Sequence, residues 1–403
     1  MDKKTIKMFS YIIGAFVGFI LILFIISSCT KKTYTFEKLE NRMTEIAKET
    51  MKSDESQLPS QDKDTKIITL KSMISDGKID EISKLFKRDD LKCSGSVTIT
   101  NNNGFYNYST YLSCGNEYES KYLNEKIIED NKVDAGVGLH EIKGSYVMQG
   151  EVKNNYIKMG DRLFRIIRIN GDGTIRMIYA GTSAHANGES TTDTSIGDST
   201  YNDNVDDTAY VGYMYGTAGA STYAVANSNT NNSTIKTLID NWYKTNIVDK
   251  GFSNYVADAI YCNDRSLVPT TDTNVNTIFS NTIGENNTGL GYGSNTTAYG
   301  SFRRNYVEHT PSLKCPNNND KFTTENIGNS KLTYPVALIT TDEVSLAGGL
   351  TMDLETGNYV MNQDYYLYNG NYYWTMTPLA FSGGYAFVDF VDDCSYFDSV
   401  NNA

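Results

Sequence analysis

Histidine and proline are scarce in this chain, with three and six copies among 403 residues, and tryptophan occurs only twice. His140, His185 and His309 lie far apart, and no two of the six cysteines stand at Cys-x-x-Cys spacing. A tetrahedral zinc site draws on such clusters, so the sequence argues against zinc. Positive charge is short as well. The formal net charge is -12, and setting aside residues 1–28, with three Lys and one Asp, leaves 33 basic and 47 acidic side chains, or -14. A surface of that sign repels phosphate backbones and anionic headgroups, so nucleic acid and anionic lipid are not expected partners. The glycine-bearing stretches Asn170-Gly171-Asp172-Gly173 and Gly289-Leu290-Gly291-Tyr292-Gly293 precede no helical pattern. A phosphate loop needs that helix, so both read as turn and surface loop.

What is present begins with residues 8–28, twenty-one residues without a charge. At about 1.5 Å of rise per residue they reach roughly 31 Å, the thickness of a bilayer's hydrocarbon core. Lys3, Lys4 and Lys7 precede the run while Lys31 and Lys32 follow it, a small bias toward a cytoplasmic N-terminus. Ile26-Ser27-Ser28-Cys29 offers an alternative, because it resembles the lipobox at which bacterial lipoproteins are cleaved and lipidated on the cysteine, here Cys29. Either anchor puts the rest of the chain on the outer face of a plasma membrane, and the five cysteines beyond Cys29 suit an oxidising exterior.

Past the anchor (1–32), Phe36, Leu39, Met43 and Ile46 share one helical stripe. The expectation is a helix nearly continuous from residue 8 to about 52. Thr69 caps a short helix that Gly77 stops, and 79–86 forms another. Residues 97–100 and 105–112 flank Asn101-Asn102-Asn103-Gly104 as a β-hairpin. Cys93 and Cys114 sit near its open end, about equally far from the turn, and are paired on that ground. A hydrophobic N-terminal helix with an amphipathic extension and a small disulfide-clipped sheet, here residues 8–115, resembles type IV pilins and pseudopilins. The chain departs from them in having no acid between Asp2 and Glu37, where pilins carry a Phe-Thr-x-x-Glu entry, and this argues against prepilin processing.

The expected order is thus a stalk domain (33–115), a linker (116–145) and an outer domain (146–403). The outer domain opens with strands at 162–169 and 174–179. From Met177 to Ile235 there is no Lys or Arg, but Glu189, Asp193, Asp198, Asp203, Asp206 and Asp207 occur among Ser, Thr, Asn and Gly. This reads as a solvated insertion, with a calcium site as the lesser alternative. Ser233 caps a helix carrying Ile235, Leu238, Ile239 and Trp242 on one stripe. A buried strand is expected over 334–340, then a short helix capped by Thr341, then strands at 372–377, closed by Pro378, and 385–391. Trp242 and Trp374 are expected in the core. The ligand surface is placed in the loops 183–232 and 281–306, so that deleting 187–208 is expected to spare the fold.

Six runs carry a second resemblance: IRINGDGTIRMIY, AYVGYMYG, STIKTLIDNWYKTNI, YCNDRS, YPVALITTDEVSLAGG and YYWTMTP. They look like an uncharacterised extracellular domain of Firmicutes and Mollicutes surface proteins. That domain is similar, more distantly, to the C-type-lectin-like fold of formylglycine-generating enzymes. The resemblance implies an α+β fold, and a last strand with Gly-Val-Arg-Pro that this chain does not reach. The distant relatives use two reactive thiols, which Cys262 and Cys315 imitate; lacking a close His or basic cluster, these two are paired as a disulfide within one domain. Cys394 is left over. Asp258, Asp264 and Arg265 are either a salt-bridged corner or a ligand site. The expectation is a membrane-tethered, non-enzymatic binding or adhesion module with no catalytic, cofactor or metal residues, for a glycan or surface-protein ligand. The alternatives are a minor pilin-like subunit and, third, a formylglycine-generating-enzyme-like enzyme.

Overall fold

The computed structural model describes residues 34–61, 64–102, 105–269, 271–275, 296–349, 362–393 and 397–401. The chain is a mixed α+β protein with several small antiparallel sheets, and it divides into two compact units, Met1–Lys121 and Tyr122–Ala403. The apolar run 8–28, Cys29 and Cys394 lie outside the described residues. Among the described residues no helix is long and apolar enough to cross a membrane.

In the first unit, α1 (Phe36–Ser53) is amphipathic, with Leu39, Met43, Ile46 and Met51 buried at helical spacing. The part of the expected helix over 8–33 lies outside the described residues, and within them the helix begins at Thr35. That residue is extended (φ -108°, ψ 159°) and its hydroxyl accepts from the Lys38 amide, so α1 has its own N-cap. The buried stripe packs with Val97 and Leu112 of a three-stranded antiparallel sheet, β1 (Thr65–Thr69), β2 (Ser94–Asn102) and β3 (Phe105–Ser113), in the order β1-β2-β3. Asn102 pairs with Phe105, so two residues join the hairpin as Asn-Gly predicts. Cys93 and Cys114 are bonded, with Cα atoms 4.1 Å apart, beside the Ser94–Ser113 pair at the open end. Thr69 caps α2 (Leu70–Ser75) and Gly77 follows at φ +67°. α3 covers only Ile82–Phe86, less than the expected 79–86.

The expected linker 116–145 is folded and belongs largely to the second unit. It holds α4 (Leu123–Asn131), β4 (Gly138–Ile142) and the start of β5 (Ser145–Gln149), with Leu139, Val147 and Met148 buried. β6 (Tyr156–Met159), β7 (Arg162–Ile169) and β8 (Ile175–Tyr179) complete a five-stranded sheet. β8 runs along one edge of β7, while β6 and β5 share the other, at its first and second halves. Two short ladders follow, β9 (Met214–Tyr215) with β10 (Asn231–Asn232) and β11 (Tyr261–Cys262) with β13 (Lys321–Phe322). A four-stranded sheet has the order β12 (Thr296–Ala298), β14 (Tyr373–Ser382), β15 (Tyr385–Val391), β16 (Phe397–Asn401).

Several expectations for this unit are corrected. The acidic segment is not a solvated insertion: Tyr201, Ala209, Val211 and Tyr213 within it are fully buried. Residues 281–295 of the second loop lie outside the described residues, and its remainder enters the core through Thr296, Thr297, Ala298 and Phe302. On α5 (Thr234–Tyr243) the buried positions are Ile235, Lys236, Ile239 and Tyr243, so the inward face lies about one residue round from the expected stripe and Trp242 is half-buried. Trp374 is also half-buried: along its strand face exposure falls from Tyr372 (64 %) to Met376 (0 %), as β14 enters the core from the rim. The stretch 334–340 forms no strand; it is tied to β14 where the Met376 amide donates to the Ile339 carbonyl at 2.7 Å. β14 runs through Pro378 instead of ending there, because the register shifts on both sides of it and β12 pairs only with 380–382. α6 (Thr341–Ala347) is capped one residue earlier than expected, by a capping box of Thr340 and Glu343.

Candidate functional site

Of the residues singled out by sequence, Asp258, Asp264 and Arg265 each have polar partners within the fold, while Cys29 lies outside the described residues. The Arg265 side chain is fully buried; its Nε donates to Asp320 Oδ1 at 2.7 Å and its Nη1 to the Met214 carbonyl at 3.0 Å. Asp264 instead accepts from Arg304 Nη1 at 2.6 Å, and Arg304 also holds Asp342. Asp258 takes the amides of Thr324 and Glu325, each at 2.9 Å. The three residues therefore do not form one corner, and their polar atoms already hold the fold together. Asp320, Arg304 and Asp342 were missed, since partners 38 to 55 positions away in sequence leave no local signal.

Glu343 centres a further ionic group, bonded to Arg168 and, at 3.1 Å, to Arg176. Burial by itself would raise the Glu343 carboxyl, but Arg176 and Arg168 outweigh it and hold it down at about 2. Lys236, with no exposed surface, meets Asp240 at 2.5 Å; burial raises the Asp240 carboxyl against the pull of that lysine.

Cys262 and Cys315 are joined, Cα to Cα 5.7 Å, so neither is a free thiolate. The acidic segment does not gather for calcium either. Asp193 accepts from the Thr182 amide, Asp207 from the Ala209 and Gly219 amides, and Asp203 from the Thr234 hydroxyl. These three carboxylates are held by separate partners, 2 to 31 positions away, and among the described residues no group of three acidic, His or Cys side chains could hold a metal.

The polar surface with the best-defined geometry comes from two docked loops, 181–195 and 362–371. The Gly188 amide donates to the Tyr368 carbonyl at 3.0 Å, Asn187 Nδ2 to the Gln363 carbonyl at 2.6 Å, and Ser190 Oγ to Asn371 Oδ1 at 2.6 Å. His185 Nε2 stands 2.6 Å from Asp193 Oδ1, and Nδ1 is 3.7 Å from Glu189 Oε2. Hydrogen bonding from the Thr182 amide is the main reason that the Asp193 carboxyl lies well below its ordinary range. Gly181, at φ +97°, is required here: a Cβ would come within 2.7 Å of Asp193 Oδ2.

Beside these loops, β6 and β7 set Tyr156 opposite Arg165. Tyr156 Oη reaches the His185 carbonyl at 3.4 Å, and the Arg165 guanidinium lies 4.3 Å from the Tyr156 ring centre and 6.0 Å from that of Tyr366. Burial pushes against the Arg165 charge. Neither Arg165 nor the loop pairing was legible in the sequence, because a strand arginine between apolar neighbours gives no sign of whether an acid will face it. No family model, no curated protein and no solved structure matches this chain.

Proposed function

We propose that this is a membrane-tethered cell-surface protein whose second unit is a non-enzymatic binding module, with the loop pair 181–195 and 362–371 as part of its ligand surface. The observation that carries the reading is the way these irregular segments are fixed. Three bonds tie the two loops to one another and a fourth braces the first loop internally, and the same unit carries a buried ion pair between Arg176 and Glu343. Irregular backbone held on a rigid scaffold is the usual place for recognition. A disulfide in each unit favours an oxidising exterior, which agrees with the apolar run 8–28 acting as tether. The lectin-like resemblance of the six sequence runs belongs to the same proposal, and it favours a glycan over a protein ligand.

A test displays the full chain on a bacterial cell and measures retention of a panel of fluorescent glycans against cells without it. Retention of at least one glycan, lost when Asn187 and Ser190 are both changed to Ala, is the expected result. No retention beyond the control sinks the reading. A minor pilin-like subunit is the second proposal, favoured by α1 packed on a disulfide-clipped sheet; recovery of the chain in sheared filaments would support it, and recovery only in membranes would remove it.

A further inference from the structure

We infer that Arg165 anchors a site for the carboxylate of an acidic sugar beside the docked loops. The inference rests on the binding-module reading and names its ligand chemistry. Its basis is an imbalance at one residue. Every other arginine among the described residues lies within 4.0 Å of a carboxylate. Arg165, with only 8 % of its surface exposed, has none among the described residues. Its neighbours are neutral: Nη1 donates to the Val152 carbonyl at 3.1 Å and to Asn155 Oδ1 at 2.6 Å, and the rings of Tyr156 and Tyr366 flank the guanidinium.

A desolvated cation facing only neutral groups is costly, and such positions are retained where a ligand completes them. The free edge has the geometry for one. Nη1 is engaged, whereas Nε and Nη2 meet no carbonyl or carboxylate among the described residues, the further polar neighbour of the guanidinium being the neutral Tyr156 side chain. With 8 % of its surface exposed, the residue keeps a narrow contact with solvent. The Nε–Nη2 edge is one that takes a carboxylate through two parallel N–H···O bonds. A saccharide is favoured over a peptide terminus because the groups around the guanidinium are two tyrosine rings, Tyr156 and Tyr366, and the side-chain amide of Asn155, which suit a sugar's C–H face and hydroxyls.

The test uses the full chain in detergent micelles and saturation-transfer NMR with three probes, D-glucuronate, D-glucose and N-acetyl-Ala-Ala. Transfer to glucuronate, weakened by salt and at least tenfold stronger than to glucose or the peptide, is expected. Arg165→Lys keeps the charge but removes the fork, and should lower glucuronate binding about tenfold or more. Should that variant fail to fold, Asn155→Asp leaves Arg165 in place and supplies the missing anion at Nη1; it too should abolish binding. Unchanged glucuronate binding in a folded variant, or binding of the peptide alone, overturns the inference. If the displayed chain still retains a neutral glycan while glucuronate never binds, the site at Arg165 falls and the module stands; if no glycan is retained at all, the module falls too.

Discussion

Glu343 shows most directly how single side chains decide stability in the second unit. Its carboxyl is held at about 2 by Arg176 and Arg168 after burial has pulled the other way, below an unfolded value of about 4.3. A depressed carboxyl binds protons less readily folded than unfolded. Its contribution, on the order of 3 kcal/mol, is therefore complete above about pH 5 and is lost as pH falls toward 2. Asp240 and Asp320 act with opposite sign, since burial raises both and acid favours the fold through them. The difference between wild type and Glu343→Gln isolates the first effect. In urea titrations, the variant should lose about 3 to 5 kcal/mol at pH 7 for breaking a buried pair, and its acid limb should be flatter. A variant as stable as wild type at pH 7 would remove this group from the list of structural pairs. Tyr243 and Trp242 make a second comparison. The 4 % exposed Tyr243 stacks on Tyr334 at 5.4 Å, and Trp242 stands half-buried beside it. Tyr243→Ala should cost more than Trp242→Ala by thermal melt, the reverse of the ranking their sizes suggest.

At the scale of elements, the sequence is legible where local chemistry decides and illegible where distant partners do. Thr69 with Gly77, the Asn-Gly hairpin of β2 and β3, and the turn between β7 and β8 announce themselves through caps and turn residues. The β4–β5 hairpin does not, because its two-residue turn is Lys143-Gly144, with φ of 51° and 84°, and lysine at a left-handed position mimics an ordinary loop residue. The acidic segment misled for a different reason. Its Tyr201, Ala209 and Tyr213 are spread among polar residues with neither a 2.0 nor a 3.6 period, yet all are buried as the chain winds irregularly through the core. Deleting 187–208 removes Tyr201 and Asn202, together with the Ser199 carbonyl that accepts from Trp374 Nε1 at 3.0 Å. The expected outcome is now an unfolded second unit, read as loss of its melting transition; a deletion variant that melts like wild type would restore the solvated-loop reading. The candidate site follows the same rule, for its loops meet across more than 170 positions of sequence.

For the whole molecule, two compact units each closed by one disulfide should respond separately to reduction. The bridges span 21 and 53 positions, which in a chain-entropy picture stabilise by about 3 and about 4 kcal/mol. Calorimetry of the full chain in detergent, with and without reductant, should show two transitions that both fall, and a single unshifted transition would contradict it. The scarcity of positive charge has a last consequence, this time for proteolysis. Between Met177 and Ile235 trypsin has no residue to cut after, and the two bonds that bound the segment follow Arg176 and Lys236, exposed by 8 % and 0 %. In the native state, then, the first of the two docked loops and the core it winds through form a single stretch that trypsin-like proteases cannot enter, and release of the peptide from Met177 to Lys236 is a clock for global opening of the unit.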